Sequence, residues 1–197
     1  MLISKIGTNQ GTQQRKIRAL KQEIKLLNGL QHKNIVKYLG THEDDEHLNV
    51  FLEYVCAGSL EQHYKNYQFN EALVAGYTQQ VLLGLEYLHQ NNIIHRDIKA
   101  ANILLRDDGT CQLADFGSSK KIIETNKNDP KSFCGTPYWM APEVVKQSGH
   151  NRFADIWSLG CTVYEMIAKE PPWTDTNNVV FKILTKIASS NKPPRYP

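Results

Sequence analysis

His95-Arg96-Asp97-Ile98-Lys99-Ala100-Ala101-Asn102, followed by Asp115-Phe116-Gly117, concentrates acids, bases and an amide in two short stretches of the chain. Upstream, Leu73, Tyr77, Val81, Leu85 and Leu88 recur at helical spacing and predict a helix over residues 71–90, with Asn91-Asn92 as its stop. Downstream, the β-rich runs 102–106 and 111–114 flank Asp108-Gly109, which predicts a hairpin. An acid, a base two residues on and an amide three further on therefore sit between a helix and a hairpin. Such a loop can aim a carboxylate, an ammonium and a carbonyl oxygen at one point. A second carboxylate, Asp115, follows the hairpin 18 residues after Asp97. An aspartate in that position is often a simple turn former. Placed across a hairpin from the first, it also suits a hard-cation ligand, and Gly117 lets the chain turn sharply after it.

The surrounding chain supplies more elements. Residues 13–30 carry a helical stripe of Ile17, Leu20, Ile24 and Leu27, with Glu23 at its edge, where a charge is costly unless paired. Residues 34–39 and 48–55 read as short strands around an acidic turn at 43–46, and residues 118–150 as irregular and polar. Residues 151–169, apolar nearly all round, predict a buried helix, and 176–189 one more helix.

The 197 residues are 41% hydrophobic and 22% charged, enough for one domain, or one domain plus a piece, with a sizeable core. Lysine and arginine total 23 against 20 acidic residues, so the net charge of +3 excludes a polycation built for nucleic acid or anionic membrane. No apolar run approaches the ~18 residues of a membrane span. All eight prolines lie between Pro130 and Pro197, so the later part is expected to be the more broken by loops. Cys56, Cys111, Cys134 and Cys161 form no C-x-x-C pair, and no N-x-[ST] acceptor is present. The expectation is a reducing, intracellular setting with cysteines buried as small hydrophobes.

The two loops resemble the catalytic loop and metal loop of eukaryotic protein kinases. The resemblance runs in order over nearly the whole chain. It takes in Glu23, F-L-E-Y-V at 51–55, Gly58-Ser59, H-R-D, D-F-G, G-T-P-Y-W-M-A-P-E at 135–143 and A-D-I-W-S-L-G at 154–160, which contains Asp155. It implies an α+β, bilobal protein-kinase-like fold and a serine/threonine kinase using ATP and Mg²⁺. Asp97 would orient the acceptor hydroxyl and take its proton, Lys99 would neutralise charge on the transferring phosphate, and Asn102 and Asp115 would hold magnesium. Glu53 and Val55 would offer backbone hydrogen bonds to adenine, with Leu52 behind it and Leu104 beneath. Arg96 would bind a phosphate on the segment between Asp115 and Glu143. Ser132 is the candidate phosphosite there, and Thr136 a partner for Asp97 or Lys99. Leu27, Tyr38, His95 and Phe116 resemble the family's stacked core residues, for which plain core packing is an equal reading. Lys99 with Ala-Ala-Asn resembles the serine/threonine kinases. The wording of 135–144, 155–166 and E-P-P-W at 170–173 looks like mitogen-activated protein kinase kinase kinases of the MEKK type, ahead of the sterile-twenty-like group, which typically has Phe where Tyr138 stands. The resemblance thus implies a downstream kinase as protein substrate and a cytoplasmic location.

Two family pieces have no match: the G-x-G-x-x-G loop and the strand lysine that pairs with the glutamate at Glu23, for which Lys5 is the only candidate. The family also continues past the last helix with an arginine that pairs with the glutamate at Glu143. The chain is expected to be a single partial kinase domain, truncated at both ends, with 1–55 an N-lobe remnant and hinge and 56–197 the C-lobe. A catalytically inactive binding or dimerisation module is the alternative. The intact H-R-D, Lys99, Asn102 and D-F-G favour the enzyme.

Overall fold

The computed structural model describes residues 24, 26–44, 47–121, 135–176, 179–190 and 192–194. Glu23, Lys5, Ser132, Cys134 and most of the helix expected over 13–30 lie outside the described residues.

The first described sheet pairs β1 (Tyr38–Glu43) with β2 (Leu48–Leu52), antiparallel, with an irregularity between Tyr38 and Gly40. The β-rich run expected at 34–39 thus enters its strand only at Tyr38. Asn34 to Val36 instead bond the chain at Leu113: Leu113 N–H donates to Asn34 O (2.9 Å) and Val36 N–H to Leu113 O (3.0 Å). Beside the strand ends, His47 N–H donates to Asp44 Oδ1 at 2.7 Å and Asp44 N–H to His47 O at 2.9 Å; the middle of the expected acidic turn lies outside the described residues.

Helix α1 (Leu60–Asn66) was not legible as periodicity, being only two turns long. It is held instead by a capping box, in which Ser59 Oγ accepts from Gln62 N–H and Gln62 Oε1 accepts from Ser59 N–H. Helix α2 (Glu71–Gln90) spans the expected range, capped by Asn70 Oδ1 on Leu73 N–H at 2.8 Å and ended at Asn91 with Asn92 at φ 58°. Its buried stripe is Val74, Val81, Leu85 and Leu88; Leu73, assigned to the stripe from sequence, is exposed because Val74 holds the seven-residue step to Val81.

Strand β3 (Ile93–Ile94) pairs with β6 (Lys120–Lys121), and β4 (Ile103–Leu105) with β5 (Cys111–Leu113). The β4–β5 turn is closed by Arg106 N–H to Thr110 O at 3.0 Å, with Gly109 in the left-handed region at φ 77°. The two pairs thus bracket residues 95–102, β3 before them and β4 after them.

The polar stretch 135–150 contains a 3-10 turn, Pro137–Trp139, and the short helix α3 (Pro142–Val145). Helix α4 (Arg152–Ala168) and helix α5 (Val180–Ser189) complete the described chain. The main core gathers α1, α2, β4, β5 and the inner side of α4 around Leu60, Leu85, Ile98, Ile103, Leu113 and Met166. Two smaller clusters, one around Met140 and one around Trp173, share Val145 and Trp157.

Helix α4 corrects one expectation. It is not buried all round: Phe153 is 68% exposed, and Ile156 and Ile167 are exposed too. Its buried face carries Asp155, Ser158, Thr162 and Glu165, a polar stripe at helical spacing. The cysteine expectation holds for Cys111 and Cys161, which are buried and free, and fails for Cys56. That thiol is exposed and donates to Asp107 Oδ1 at 3.0 Å.

Candidate active site

The segment after β3 brings Asp97, Lys99, Asn102 and Thr136 into one cluster. Asp97 Oδ1 accepts from Thr136 Oγ1–H at 2.7 Å. Its Oδ2 accepts from Asn102 Nδ2 at 2.9 Å and pairs with Lys99 Nζ at 3.0 Å. Lys99 Nζ also donates to Thr136 Oγ1 at 2.8 Å, so the threonine hydroxyl accepts from one site residue and donates to another. Burial pushes the Asp97 carboxyl up. The hydrogen bonds from Thr136 and Lys99, the lysine charge and the Asn102 amide outweigh it and hold the group below its ordinary value. Asp97 is therefore ionised at neutral pH, an acceptor oriented by fixed donors.

Asn102 spends its Nδ2 on Asp97 twice, on the backbone O and on Oδ2, both at 2.9 Å. This fixes the amide and leaves Oδ1 as the oxygen it presents elsewhere. Ala114 N–H donates to Asn102 O at 2.9 Å and joins this loop to the end of β5. There Asp115 takes a left-handed conformation (φ 59°), exposed, with Oδ1 accepting from Gly117 N–H at 3.3 Å. That backbone state is unusual for a residue with a Cβ and turns the chain at the one place where a second carboxylate stands. Phe116 is buried, its ring centroid 5.1 Å from that of His95. Leu27 and Phe116 belong to the main core, and Tyr38 packs against that core.

The loop's geometry is imposed from α4. Asp155 is fully buried and accepts from three donors: His89 Nε2–H at 2.8 Å, His95 N–H at 3.0 Å and Arg96 N–H at 2.8 Å. Arg96 sits at φ 70°, a conformation that needs such outside support. His95 accepts from Asp97 N–H on Nδ1 (3.4 Å) and donates Nε2–H to Ala114 O (3.1 Å). Both bonds fit the neutral imidazole that full burial favours. The Arg96 guanidinium reaches Ser118 O, placing it at the start of the segment that leads to Thr136.

Glu165 was missed in the sequence. Its carboxylate accepts from Tyr64 O–H of α1 (2.8 Å), Ala100 N–H of the segment after β3 (3.2 Å) and the Trp139 indole N–H of the 3-10 turn (3.0 Å). It is 2% exposed, and burial raises its pKa against those hydrogen bonds. The 155, 158, 162, 165 spacing of polar residues inside an apolar helix was the available signal. Ser158 extends it, donating to Trp139 O at 2.8 Å.

Around the chain segment after β2, the Glu53 carboxylate accepts from Lys37 N–H (2.7 Å), Gln112 Nε2 (2.7 Å) and Arg106 (3.0 Å), and Glu53 N–H donates to Lys37 O (2.9 Å). Among the described residues, its carbonyl and the Val55 N–H have no hydrogen-bond partner. Leu104 and Gln112 are a cross-strand pair, so their side chains share one face of the hairpin. Leu52 is half-buried. Glu143 is half-buried on α3, and among the described residues its carboxylate has no ion-pair partner.

The protein kinase domain family model matches residues 2–195. The chain belongs to that family. It is 50% identical over 177 residues to "Mitogen-activated protein kinase kinase kinase 3" of Arabidopsis thaliana, covering 89% of this chain and 27% of that protein. It is 47% identical to "Mitogen-activated protein kinase kinase kinase A" of Dictyostelium discoideum (92% of this chain, 19% of that protein). To "Serine/threonine-protein kinase STE11" of Saccharomyces cerevisiae it is 45% identical (93% and 26%). The chain thus spans about a quarter of the length of these relatives. Among the described residues no helix is long and apolar enough to cross a membrane.

Proposed function

We propose that this chain is the catalytic segment of a serine/threonine protein kinase at the kinase kinase kinase tier, moving the γ-phosphate of ATP to a hydroxyl on a downstream kinase in the cytoplasm. The observation that carries the reading is the Asp97–Thr136–Lys99–Asn102 cluster. Three residues from two distant segments, Lys99, Asn102 and Thr136, fix the Asp97 carboxylate, and one of its oxygens already accepts from a threonine hydroxyl.

A substrate serine or threonine arriving at Asp97 meets an acceptor of the kind Thr136 now engages. The depressed pKa makes Asp97 a weak base toward a free hydroxyl. Its main contribution is to orient the nucleophile, taking the proton as the new P–O bond makes that hydroxyl acidic. Lys99 stands 3.0 Å from Asp97 and supplies positive charge where the transferring phosphoryl group spreads negative charge over its oxygens. Asn102 Oδ1 and the Asp115 carboxylate are hard oxygen donors, the type magnesium takes. The described residues hold no cluster of three His, Cys, Asp or Glu side chains. Bound at Asn102 and Asp115, Mg²⁺ would neutralise phosphate charge. Glu53 O and Val55 N–H would take the adenine edge, Leu104 would lie beneath the ring and Leu52 behind it. Phe116 and Gly117 would set the direction of Asp115, and Asp155 that of Arg96. Arg96 would receive a phosphate on the 118–136 segment, with Ser132 the proposed acceptor, and Glu143 would anchor the end of that segment. Residues 1–55 and 56–197 are proposed as the two lobe portions.

Asp97→Asn tests the assignment. Phosphate transfer to a generic serine/threonine peptide should fall by about 10²–10⁴-fold, with affinity for Mg-ATP measured by calorimetry nearly unchanged. Near-normal turnover in the variant removes Asp97 from this role.

A further inference from the structure

Behind the segment that follows β2 lies a cavity of about 490 Å³, lined by none of the residues proposed to act on phosphate. Its volume falls in the range of small-molecule sites. Leu30 and Ile35 give it apolar wall, and the charged groups around it are unevenly matched. The two acids are already engaged: Glu53 by three donors, and Asp108 Oδ1 by Thr110 N–H at 2.9 Å. The cations are not. Arg106 meets Glu53, but Lys33 and Lys37 have no acidic partner among the described residues. His32 accepts from Asn34 N–H on Nδ1 at 3.1 Å, so its neutral ring carries the proton on Nε2 as a further donor. Burial first and Lys33 second hold that ring below its ordinary pKa and keep it neutral. Gln112, 3% exposed, is pinned through Nε2 to Glu53, while its Oε1 has no partner among the described residues.

A concave wall with apolar floor, surplus donors and unmatched positive charge fits one ligand class. We propose that this cavity binds a small organic anion, a carboxylate or phosphate borne on an apolar body, with Lys33 and Lys37 meeting the charge and Leu30 and Ile35 the body. Its lining takes in Glu53 but none of Leu52, Val55 and Leu104, the other residues proposed for the nucleotide.

Benzoate and phenyl phosphate present the two head groups on one ring, and benzyl alcohol is the neutral control. Each is titrated into the intact chain without nucleotide, following the His32 ring and Gln112 side-chain amide signals by NMR. A saturable shift with one or both anions and none with the alcohol is expected, and the stronger anion identifies the head group. The double variant Lys33→Met, Lys37→Met should weaken that binding about tenfold while its thermal unfolding stays that of the wild type, since both lysines are exposed. Equal response to the alcohol, no saturable shift with either anion, or unchanged anion affinity in the double variant overturns the proposal. If the double variant unfolds early, Lys33→Gln and Lys37→Gln singly serve the same comparison. No nucleotide enters the titration, so its outcome is independent of whether Asp97 is catalytic.

Discussion

Thr136 shows how much one hydroxyl can settle. Its two bonds, to Asp97 and from Lys99, join residues 37 and 39 positions away. The pairing was readable in the sequence only through resemblance, because no local pattern connects a turn at 136 to a loop at 97. Asp155 is the same kind of case: its motif was visible, but not that its carboxylate would hold two backbone N–H groups of the catalytic segment. That role yields a residue-scale prediction. Asp155→Ala strands three buried donors, each costing about 1–3 kcal/mol, and should lower stability by about 3–5 kcal/mol in urea unfolding. Asp155→Asn keeps one acceptor oxygen and should recover part of the loss. Equal stability of wild type and alanine variant would contradict the assigned bonds.

Among the elements, α2 was the most legible. Its length gave the apolar repeat several turns in which to declare itself, and Asn70 and Asn91 mark its ends. Helix α1 has no such length and depends on its first turn, where Gly58 precedes the capping box at φ 82°. A Cβ on Gly58 would stand 2.3 Å from Gln62 Oε1, so the glutamine must leave Ser59 N–H to make room. Gly58→Ala should therefore cost about 1–3 kcal/mol, combining left-handed strain with loss of half the box, and Ser59→Ala about 1 kcal/mol. Denaturant titrations rank the two; a neutral Gly58→Ala would mean the turn relaxes freely. The same reasoning explains the misjudged α4. Its apolar content predicts burial all round, yet four neighbouring segments supply N–H and O–H donors to its inner face, which takes up Asp155 and Glu165. Trp139→Phe removes one of those donors and keeps the ring. It should raise the KM for a peptide substrate about threefold to tenfold while leaving that for ATP within a factor of two, because the 3-10 turn and not the nucleotide side loses its anchor. Equal effects on both constants would place Trp139 in general packing only.

Across the whole molecule, three histidines shielded by packing, His95 fully and His32 and His150 in part, make stability depend on pH with a definite sign. His150 is pushed down to about 4, first by burial and then by Arg96; burial also lowers His95 and His32. Their unfolded values lie near 6.5, so on acidification the unfolded chain takes up protons that the folded chain refuses, and stability falls from about pH 6.5 toward 4. Glu165 works in the opposite sense. Its raised folded pKa lets the native state take a proton first, which returns some stability in that window. Urea midpoints should drop between about pH 7 and 5, and His150→Gln should flatten part of the drop. An identical slope in the variant would exclude His150 as a source. The broad fold and the order of the catalytic segments were legible because short motifs carry them. The buried charges were not, since burial is a property of the assembled chain. The Asp155 and Glu165 bonds also set an order of events in time. The conformation of Arg96 and Ala100 is held by side chains 59 and 65 positions later. A chain emerging from the ribosome exposes residues 95–102 well before those supports exist. That loop must wait, unlocked, until α4 has been made and docked, so the arrangement around Asp97 is acquired late in synthesis and all at once.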